Sequence, residues 1–374
     1  MKSGDYPFLW QSNDWPEWRF DLAALADPMA KASHAQGLLL GRLADVGLDT
    51  RARANLAALT EDALKTSEIE GEILDAHSVR SSVARRLGID IGTLAPVDRH
   101  ADGVVDITID ATINSQARMT RDRLFGWHAA LFPTGYSGLS RLRVGAWRDD
   151  AKGPMQVVSG PTGREHVHFE APPAARLEAE MDRFLRWTDD KPVEPPLIRA
   201  GLGHLWFVTL HPFDDGNGRL GRAIGDLLLA RADGSSQRFY SLSAQIQRER
   251  KAYYAILEQT QRGSLDVTLW LAWFLDVLHR AVLRAQIALD EVLAKGRFWQ
   301  RWAGLALNER QVKLLIKLLD GFKGNLTTSK WAAIAKCSQD TALRDINDLV
   351  MHGVLRKRDA GGRSTSYELN RTQP

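Results

Sequence analysis

The chain has 374 residues and a net charge of +3, with 25% charged and 44% hydrophobic residues, an ordinary composition for a globular protein of more than one domain. A single cysteine, Cys337, excludes an intrachain disulfide framework and fits a reducing compartment. No apolar run approaches the roughly 18 residues that span a membrane, and the N-terminus lacks the apolar stretch of a secretory signal. These features predict a cytoplasmic protein without a membrane partner.

The first 100 residues are predicted to form a helical extension. Trp10, Trp15 and Trp18 lie close together in the sequence, a density typical of a small core. An apolar helix at 38–46 precedes a second helical segment that runs from residue 54 to Gly71, where the glycine stands at the expected C-terminal stop.

Two short β runs follow at 156–163 and 165–170, separated by a Gly/Pro turn and flanked by helical sequence. They predict an isolated hairpin. His166 and His168 fall on one face of its second strand, which suggests a metal pair. The sequence places no third ligand nearby, so we interpret both histidines as facing solvent.

The segment 197–210, after an Asp- and Pro-rich loop at 189–196, reads as either a helix or a buried strand. A spacing of three and four residues favours the helix, and it is carried by Ile198, Leu202, Leu205 and Val208. The glycines at 216, 218 and 221 spell the dinucleotide-binding pattern G-x-G-x-x-G, which requires a preceding strand. The helix therefore argues against that interpretation.

Residues 211–222 read His-Pro-Phe-Asp-Asp-Gly-Asn-Gly-Arg-Leu-Gly-Arg and carry most of the chemistry in the chain. The imidazole can take a proton near neutral pH, and a carboxylate can hold a divalent cation. Glycines allow the backbone to approach a ligand, and guanidinium groups match the geometry of phosphate. These groups suit a site that binds a magnesium nucleotide and transfers a phosphoryl or nucleotidyl group.

This run resembles the signature of the Fic family, H-P-F-x-[DE]-G-N-G-R-x-x-R, at every specified position. The resemblance implies a mainly α fold, in which a Fic helical core carries a β-hairpin flap, an N-terminal helical extension and a C-terminal domain. It implies a catalytic domain at 101–290, with a helix beginning near Asn217. It also implies an adenylyltransferase, which moves AMP from ATP to a hydroxyl group of a protein.

The resemblance assigns roles within the loop. His211 would act as the catalytic base, and Asp215 would ligate Mg²⁺. Arg219 and Arg222 would hold the outer phosphates of ATP. The implied ATP-binding set comprises Asp215, Gly216, Asn217, Gly218, Arg219, Leu220, Gly221 and Arg222.

The end of the second predicted helix, Thr66-Ser67-Glu68-Ile69-Glu70-Gly71, fits [ST]-x-x-x-E-[GN], the inhibitory motif of the same family. The resemblance implies that Glu70 pairs with Arg222 and takes that guanidinium from the γ-phosphate of ATP. Thr66 and Gly71 complete the motif. In some relatives this glutamate also orients a water molecule that removes AMP, and the sequence leaves that activity open.

The family's flap corresponds to the predicted hairpin. In the family it docks a target protein by strand addition, which tolerates many side chains. Its stretch nearest the nucleotide matches Val157, Val158, Ser159 and Gly160. The resemblance also places Tyr253 and Tyr254 near the nucleoside. Gln261 stands where some relatives carry an asparagine near adenine, so it departs from the pattern.

Residues 305–374, after a predicted linker at 291–304, resemble a winged helix-turn-helix domain. We predict helices at 308–320, 330–336 and 339–352, followed by strands at 354–358 and 366–369 around the turn 361–363. Residues 308–371 carry 12 Lys and Arg against 7 Asp and Glu, which hints at phosphate contacts with DNA. The predicted recognition helix at 339–352 carries Asp340, Asp345 and Asp348 beside Arg344 alone, which favours a protein-contact role instead.

Two classes of function therefore compete. The first is an autoinhibited protein adenylyltransferase that modifies target proteins or itself. The second is a DNA-binding regulator whose Fic-like domain senses ATP, and transfer of another phosphate-containing group is a further alternative. The intact catalytic set favours the first class. The sequence leaves the target, the acceptor residue and self-association into a homodimer open.

Overall fold

The computed structural model describes residues 7–161, 163–164, 166–358 and 365–370. The described chain is mainly helical with a few short strands, which confirms the predicted fold class. It divides into two compact units, one ending at Ile287 and one beginning at Ala288. Within these ranges, no helix combines the length and the apolar character needed to cross a membrane.

The first unit begins with five helices: α1 (Leu22–Ala44), α2 (Leu48–Ile69), α3 (Ala76–Leu87), α4 (Arg99–Ile113) and α5 (Arg121–Leu131). Four of them start at a side chain that accepts a hydrogen bond from the first-turn backbone, a role taken by Asp21, Asp75, Asp98 and Thr120. The second helix ends just before Gly71, whose φ of 86° suits glycine. The predicted C-terminal stop is therefore confirmed.

After α5 the chain adds two hairpins and five helices. The hairpins are β1 (Tyr136–Ser137) with β2 (Ser140–Arg141), and β3 (Gln156–Ser159) with β4 (His166–Glu170). The helices are α6 (Ala174–Asp189), α7 (Pro196–Leu210), α8 (Asn217–Asp233), α9 (Leu242–Arg248) and α10 (Arg250–Gln261). The second hairpin is antiparallel and is the one predicted, although Thr162 and Glu165 lie outside the described residues.

The segment before the loop is the helix α7, so the dinucleotide-binding interpretation is excluded by the absence of the strand that it requires. All side chains of α7 from Leu197 to Leu210 are buried, which is typical of a central helix. It packs against α8, where a Cβ on Gly221 would lie 2.5 Å from Val208 Cγ1. The missing side chain at Gly221 therefore lets the two helices approach closely.

The N-terminal tryptophans form part of a small aromatic core, as their density in the sequence predicts. Trp15 and Trp18 meet edge to face with ring centroids 5.0 Å apart. Trp206 on α7 meets each of them in the same way, at 6.4 Å and 5.9 Å. The extension is thereby packed onto the central helix.

The helix α11 (Thr268–Arg301) contributes residues to both units, so the predicted linker at 291–304 is helical as far as Arg301. The second unit continues with α12 (Glu309–Leu319), α13 (Thr328–Ala335), α14 (Gln339–Met351), β5 (Leu355–Lys357) and β6 (Tyr367–Leu369). The two strands are antiparallel. The predicted turn 361–363 lies outside the described residues, and a winged helix-turn-helix stays a prediction.

Candidate active site

The loop between α7 and α8 begins at His211, which adopts a left-handed backbone conformation with φ 49° and ψ 55°. Few residues other than glycine take this conformation, and it concentrates at functional sites. Arg148 holds the turn, because its Nε donates to His211 O at 2.7 Å and its backbone N–H donates to Pro212 O at 2.9 Å. The Arg148 side chain is fully buried. No motif in the sequence marks this role of Arg148.

The His211 imidazole is held in one tautomer. Its Nδ1 lies 3.2 Å from Val208 O, and a carbonyl oxygen only accepts, so Nδ1 carries the proton and Nε2 keeps its lone pair. Burial lowers the pKa of His211 to about 4. The side chain is therefore neutral at pH 7 and competent to accept a proton at Nε2.

Phe213 and Asn217 fix the shape of the loop. Phe213 is fully buried and stacks on His128 with ring centroids 4.2 Å apart. The side-chain amide of Asn217 donates to Phe213 O at 2.7 Å, and its carbonyl oxygen accepts from Phe213 N at 3.0 Å. The Asn217 side chain thus closes the loop upon itself. The family resemblance implies that Gly216, Asn217 and Gly218 form a phosphate cradle, and this predicted cradle relies on backbone N–H groups at the start of α8, where the helix dipole favours an anion.

Asp215 lies beside this helix start. Its carboxylate accepts from Gly216 N at 2.6 Å and from the Ser137 hydroxyl at 2.5 Å. Ser137 belongs to the short hairpin β1–β2, and no pattern in the sequence marks it. Carboxylate and hydroxyl oxygens are ligands that suit Mg²⁺, so the donor set fits the predicted metal.

Arg222 meets the end of α2. Its Nη2 donates to Glu70 Oε1 at 2.7 Å and to Thr66 O at 2.8 Å, and its Nε donates to Thr66 Oγ1 at 2.8 Å. The side chain is 1% exposed. Its Nη1 is buried and has no hydrogen-bond partner among the described residues. The structure therefore brings together Glu70, Thr66 and Arg222, with one donor atom of the arginine still unmatched.

Glu70 sits directly over the first turn of α8. A Cβ on Gly218 would lie 2.2 Å from Glu70 Oε1, so the carboxylate occupies the space that the missing side chain leaves. A negative group at the N-terminus of a helix is electrostatically favourable. The carboxylate therefore lies where an anion bound to the predicted cradle would lie.

A second carboxylate, Glu72, engages the other arginine of the loop. Arg219 Nη1 donates to Glu72 Oε2 at 2.6 Å, and the Arg219 side chain is 7% exposed. The other oxygen of Glu72 is hydrogen-bonded to His100, and this bond lowers the pKa of Glu72 and raises the pKa of His100. Glu72 lies two positions beyond Glu70, outside the motif, which is why the sequence pattern missed it.

Two residues of the predicted ATP-binding set lie on the other side of α8. Leu220 is fully buried in the core, and Gly221 contacts α7 as described above. The helical repeat explains the difference, because residues 218 and 222 share one face whereas 220 and 221 point elsewhere. Both positions pack the helix against its neighbours, and their assignment to the ATP-binding set stays a prediction.

The aromatic pair on α10 is divided between core and surface. Tyr253 is 1% exposed, and its hydroxyl is hydrogen-bonded to His204 Nε2 at 2.9 Å. Tyr254 is 38% exposed, and its hydroxyl donates to Ile69 O at 3.4 Å beside the end of α2. Gln261 is buried, where its amide donates to Thr209 Oγ1 at 3.3 Å. Of these three predicted nucleoside contacts, only Tyr254 reaches an exposed position.

The predicted flap stretch lies on the hairpin as expected. Val157 is half-buried, whereas Val158, Ser159 and Gly160 are exposed. The histidines of β4 differ from the interpretation drawn from the sequence, because the fold brings Glu258 of α10 to them. Glu258 is therefore a third candidate ligand. The sequence pattern of one strand cannot identify a residue that another element brings close to it.

Comparisons with known proteins point to the family that the loop resembles. A model of the Fic/DOC family matches residues 118–229, and one for a domain of unknown function, DUF4172, matches residues 8–89. The chain is 35% identical over 115 residues to a protein adenylyltransferase Fic of Nematostella vectensis, covering 30% of this chain and 26% of that protein. It is 30% identical over 125 residues to a uridine 5′-monophosphate transferase of Xanthomonas campestris, covering 31% and 22%.

A crystal structure of a Fic family protein from Desulfovibrio desulfuricans has the same fold, with a TM-score of 0.52 at 20% identity over 94% of this chain and 97% of that one. The chain spans about a quarter of the length of the two curated relatives, from 22% to 26%.

Proposed function

Residues 118–229 form a Fic/DOC family domain, and from this we propose that the chain is a protein adenylyltransferase held in an inhibited state by Glu70. The substrate is ATP, and the acceptor is a hydroxyl group on a target protein or on the chain itself. The observation that carries the proposal is His211, neutral at pH 7 with its Nε2 lone pair available, at the end of the loop that leads into α8.

Each group of the loop has a task in this reaction. The attacking hydroxyl gives its proton to His211 Nε2 as its oxygen bonds to the α-phosphorus, and the bond to pyrophosphate breaks. Backbone N–H groups at the start of α8 hold phosphate oxygens, and the unmatched Nη1 of Arg222 is a further donor for an anion. Asp215 would hold Mg²⁺, which supplies positive charge to the phosphates when bound.

The contacts of Glu70 support inhibition. Its carboxylate takes one guanidinium nitrogen of Arg222 and fills the space over Gly218. A γ-phosphate that needs the same arginine is then displaced, and the α-phosphate is misaligned for in-line attack. A displacement of about 1 Å costs on the order of 100-fold in rate.

The first experiment compares autolabelling by the wild type, Glu70→Gly and Glu70→Gly/His211→Ala with α-labelled ATP and Mg²⁺. We expect Glu70→Gly to label up to about 100-fold faster than the wild type. The added His211→Ala change should reduce labelling by about 100-fold or more. Equal labelling by the wild type and Glu70→Gly would show that Glu70 does not inhibit the reaction. Full labelling by Glu70→Gly/His211→Ala would show that His211 is not the catalytic base.

Transfer of another nucleotide is the second candidate, because one of the relatives is named a uridine 5′-monophosphate transferase. The same Glu70→Gly protein should be offered α-labelled ATP and α-labelled UTP in competition. We expect label from ATP, and preferential label from UTP would replace the proposal. Incubation of the labelled product with wild-type protein then tests removal of AMP, which appears as released label.

A further inference from the structure

The hairpin β3–β4 faces α10 through a group of three titratable side chains outside the loop. His168 Nδ1 lies 2.6 Å from Glu258 Oε2, and His166 Nε2 lies 3.6 Å from Glu258 Oε1. One ligand atom from each of the three residues lies within 4.8 Å of the other two. Two imidazole nitrogens and one carboxylate oxygen thus converge on one point.

This donor set matches a first-row divalent transition metal. Imidazole with carboxylate suits Zn²⁺, whereas Mg²⁺ prefers oxygen ligands alone. Zinc holds nitrogen and oxygen ligands at about 2.0–2.1 Å, which in a tetrahedral site separates neighbouring ligand atoms by about 3.3 Å. His168 Nδ1 lies 2.6 Å from Glu258 Oε2 and His166 Nε2 lies 3.6 Å from Glu258 Oε1, so side-chain rotations that bring both nitrogens to one carboxylate oxygen would form the site. His166 is 66% exposed, which leaves the remaining coordination position to water.

The surroundings hold the ligands in place. Ser159 Oγ lies 2.6 Å from His168 Nε2, and this oxygen would accept a hydrogen bond from Nε2–H when Nδ1 binds a metal. Arg262 Nε donates to His168 O at 2.8 Å and fixes the strand to α10. Arg262 also lies 3.5 Å from Glu258 Oε1, so its positive charge opposes a cation there. The Arg262 guanidinium donates to the backbone of β4. Glu258 Oε2, the carboxylate oxygen farther from this charge, would bind the metal.

We propose that His166, His168 and Glu258 form a binding site for one Zn²⁺ ion that links the hairpin to α10. The site stands apart from the proposed transferase activity, because none of its ligands belongs to the loop 211–222. Binding fastens β4 and, through Ser159, the end of β3. The ion would therefore set the position of the strand that the Fic resemblance assigns to target docking.

The test is a titration of the full chain with Zn²⁺ alone, in competition with a chromophoric chelator, after removal of bound metal. We expect one high-affinity Zn²⁺ per chain, not displaced by excess Mg²⁺. His168→Gln and Glu258→Gln should each weaken binding by more than tenfold, and Ser159→Ala by about tenfold, the effect typical of a residue that orients a ligand. His77→Gln, an exposed histidine on α3, should leave the affinity unchanged.

Two further measurements locate the metal. In hydrogen exchange, Zn²⁺ should protect residues 156–170 of the wild type but not of His168→Gln, with the folding of each variant checked by thermal unfolding. The proposal is overturned if the wild type binds no Zn²⁺. It is equally overturned if binding is unchanged in His168→Gln, or is lost only in His211→Ala, which would assign the metal to the catalytic loop.

Discussion

At the scale of single residues, the proposed chemistry depends on a half-buried imidazole in a strained backbone conformation. His211 occupies a left-handed backbone conformation that Arg148 holds through the carbonyls of residues 211 and 212. Burial lowers its pKa to about 4. A base of this kind is deprotonated throughout the physiological range, so its protonation does not regulate the reaction.

The pH profile of labelling tests this protonation state. Because the folded pKa of His211 lies below the ordinary value near 6.5, the neutral form persists as the pH falls through 6.5. We expect the initial rate for Glu70→Gly to stay nearly constant from about pH 8 to about pH 5.5 and to fall as the pH approaches 4. A rate that is half lost near pH 6.5 would contradict the assigned pKa.

Thr66 offers a second test at this scale. Thr66→Val removes the hydroxyl that accepts from Arg222 Nε and leaves a buried donor unpaired, at a cost of about 1–3 kcal/mol. We expect a lower free energy of unfolding, together with faster labelling that stays below that of Glu70→Gly. Ser67→Ala is the matched control, because the buried Ser67 hydroxyl has no hydrogen-bond partner among the described residues. Equal loss of stability in both variants would show that the Arg222 contact contributes nothing measurable.

At the scale of elements, periodicity predicted only some of the helices. Apolar spacing identified α7, Gly71 marked the end of α2, and the family resemblance placed the start of α8 near Asn217. The inhibitory pairing of Glu70 with Arg222 came from a family pattern, and the geometry agrees with it. The sequence analysis missed residues that reach the two candidate sites only through the packing of distant elements. These residues are Glu72, Ser137, Arg148 and Glu258. A periodic pattern tells which face of a helix is buried, but it does not identify the neighbouring element.

The segment after α2 yields a prediction of its own. Glu70 and Glu72 engage Arg222 and Arg219 respectively, so removing Glu70 releases only one of the two guanidiniums. We expect Glu70→Gly/Glu72→Gln to label several-fold faster than Glu70→Gly, since an arginine freed from a partly buried ion pair is available to phosphate. The readout is initial-rate labelling at limiting ATP.

Glu68→Gln serves as the control in the same background, because Glu68 contacts Lys65 and Gln247 and is not bonded to either arginine. Slower labelling in the Glu72→Gln combination would contradict the prediction. It would instead indicate that Glu72 orients Arg219 for productive binding of ATP.

At the scale of the whole molecule, charge is distributed unevenly between the two units. The excess of lysine and arginine at 308–371 suggests DNA, but several of these charges are already paired. Arg356 and Arg358 both contact Glu368, and Arg310 forms two hydrogen bonds with Asp345. Ion-paired arginines offer less to a phosphate backbone, so we expect the second unit to contact a protein rather than duplex DNA.

We therefore expect the full chain not to retard random duplex DNA at about 0.15 M salt, where non-specific binding depends on unpaired positive charge. The measurement is an electrophoretic shift across a series of salt concentrations, with a chain lacking residues 305–374 as the comparison. Retardation that weakens with salt and disappears in the shortened chain would contradict the prediction and restore the DNA-binding alternative.

The bare backbone at Gly218 has a consequence for how the proposed inhibited state would respond to its surroundings. The group that fills the space beside it is a carboxylate attached to the same polypeptide, so under this proposal it would act as a tethered competitor of phosphate with a fixed effective concentration. Diluting the protein does not weaken such a competitor. Nucleotide displaces it only when the nucleotide concentration is high relative to the effective concentration that the tether sets. A partner that pulls the end of α2 away would release every molecule that it binds, whatever the nucleotide supply.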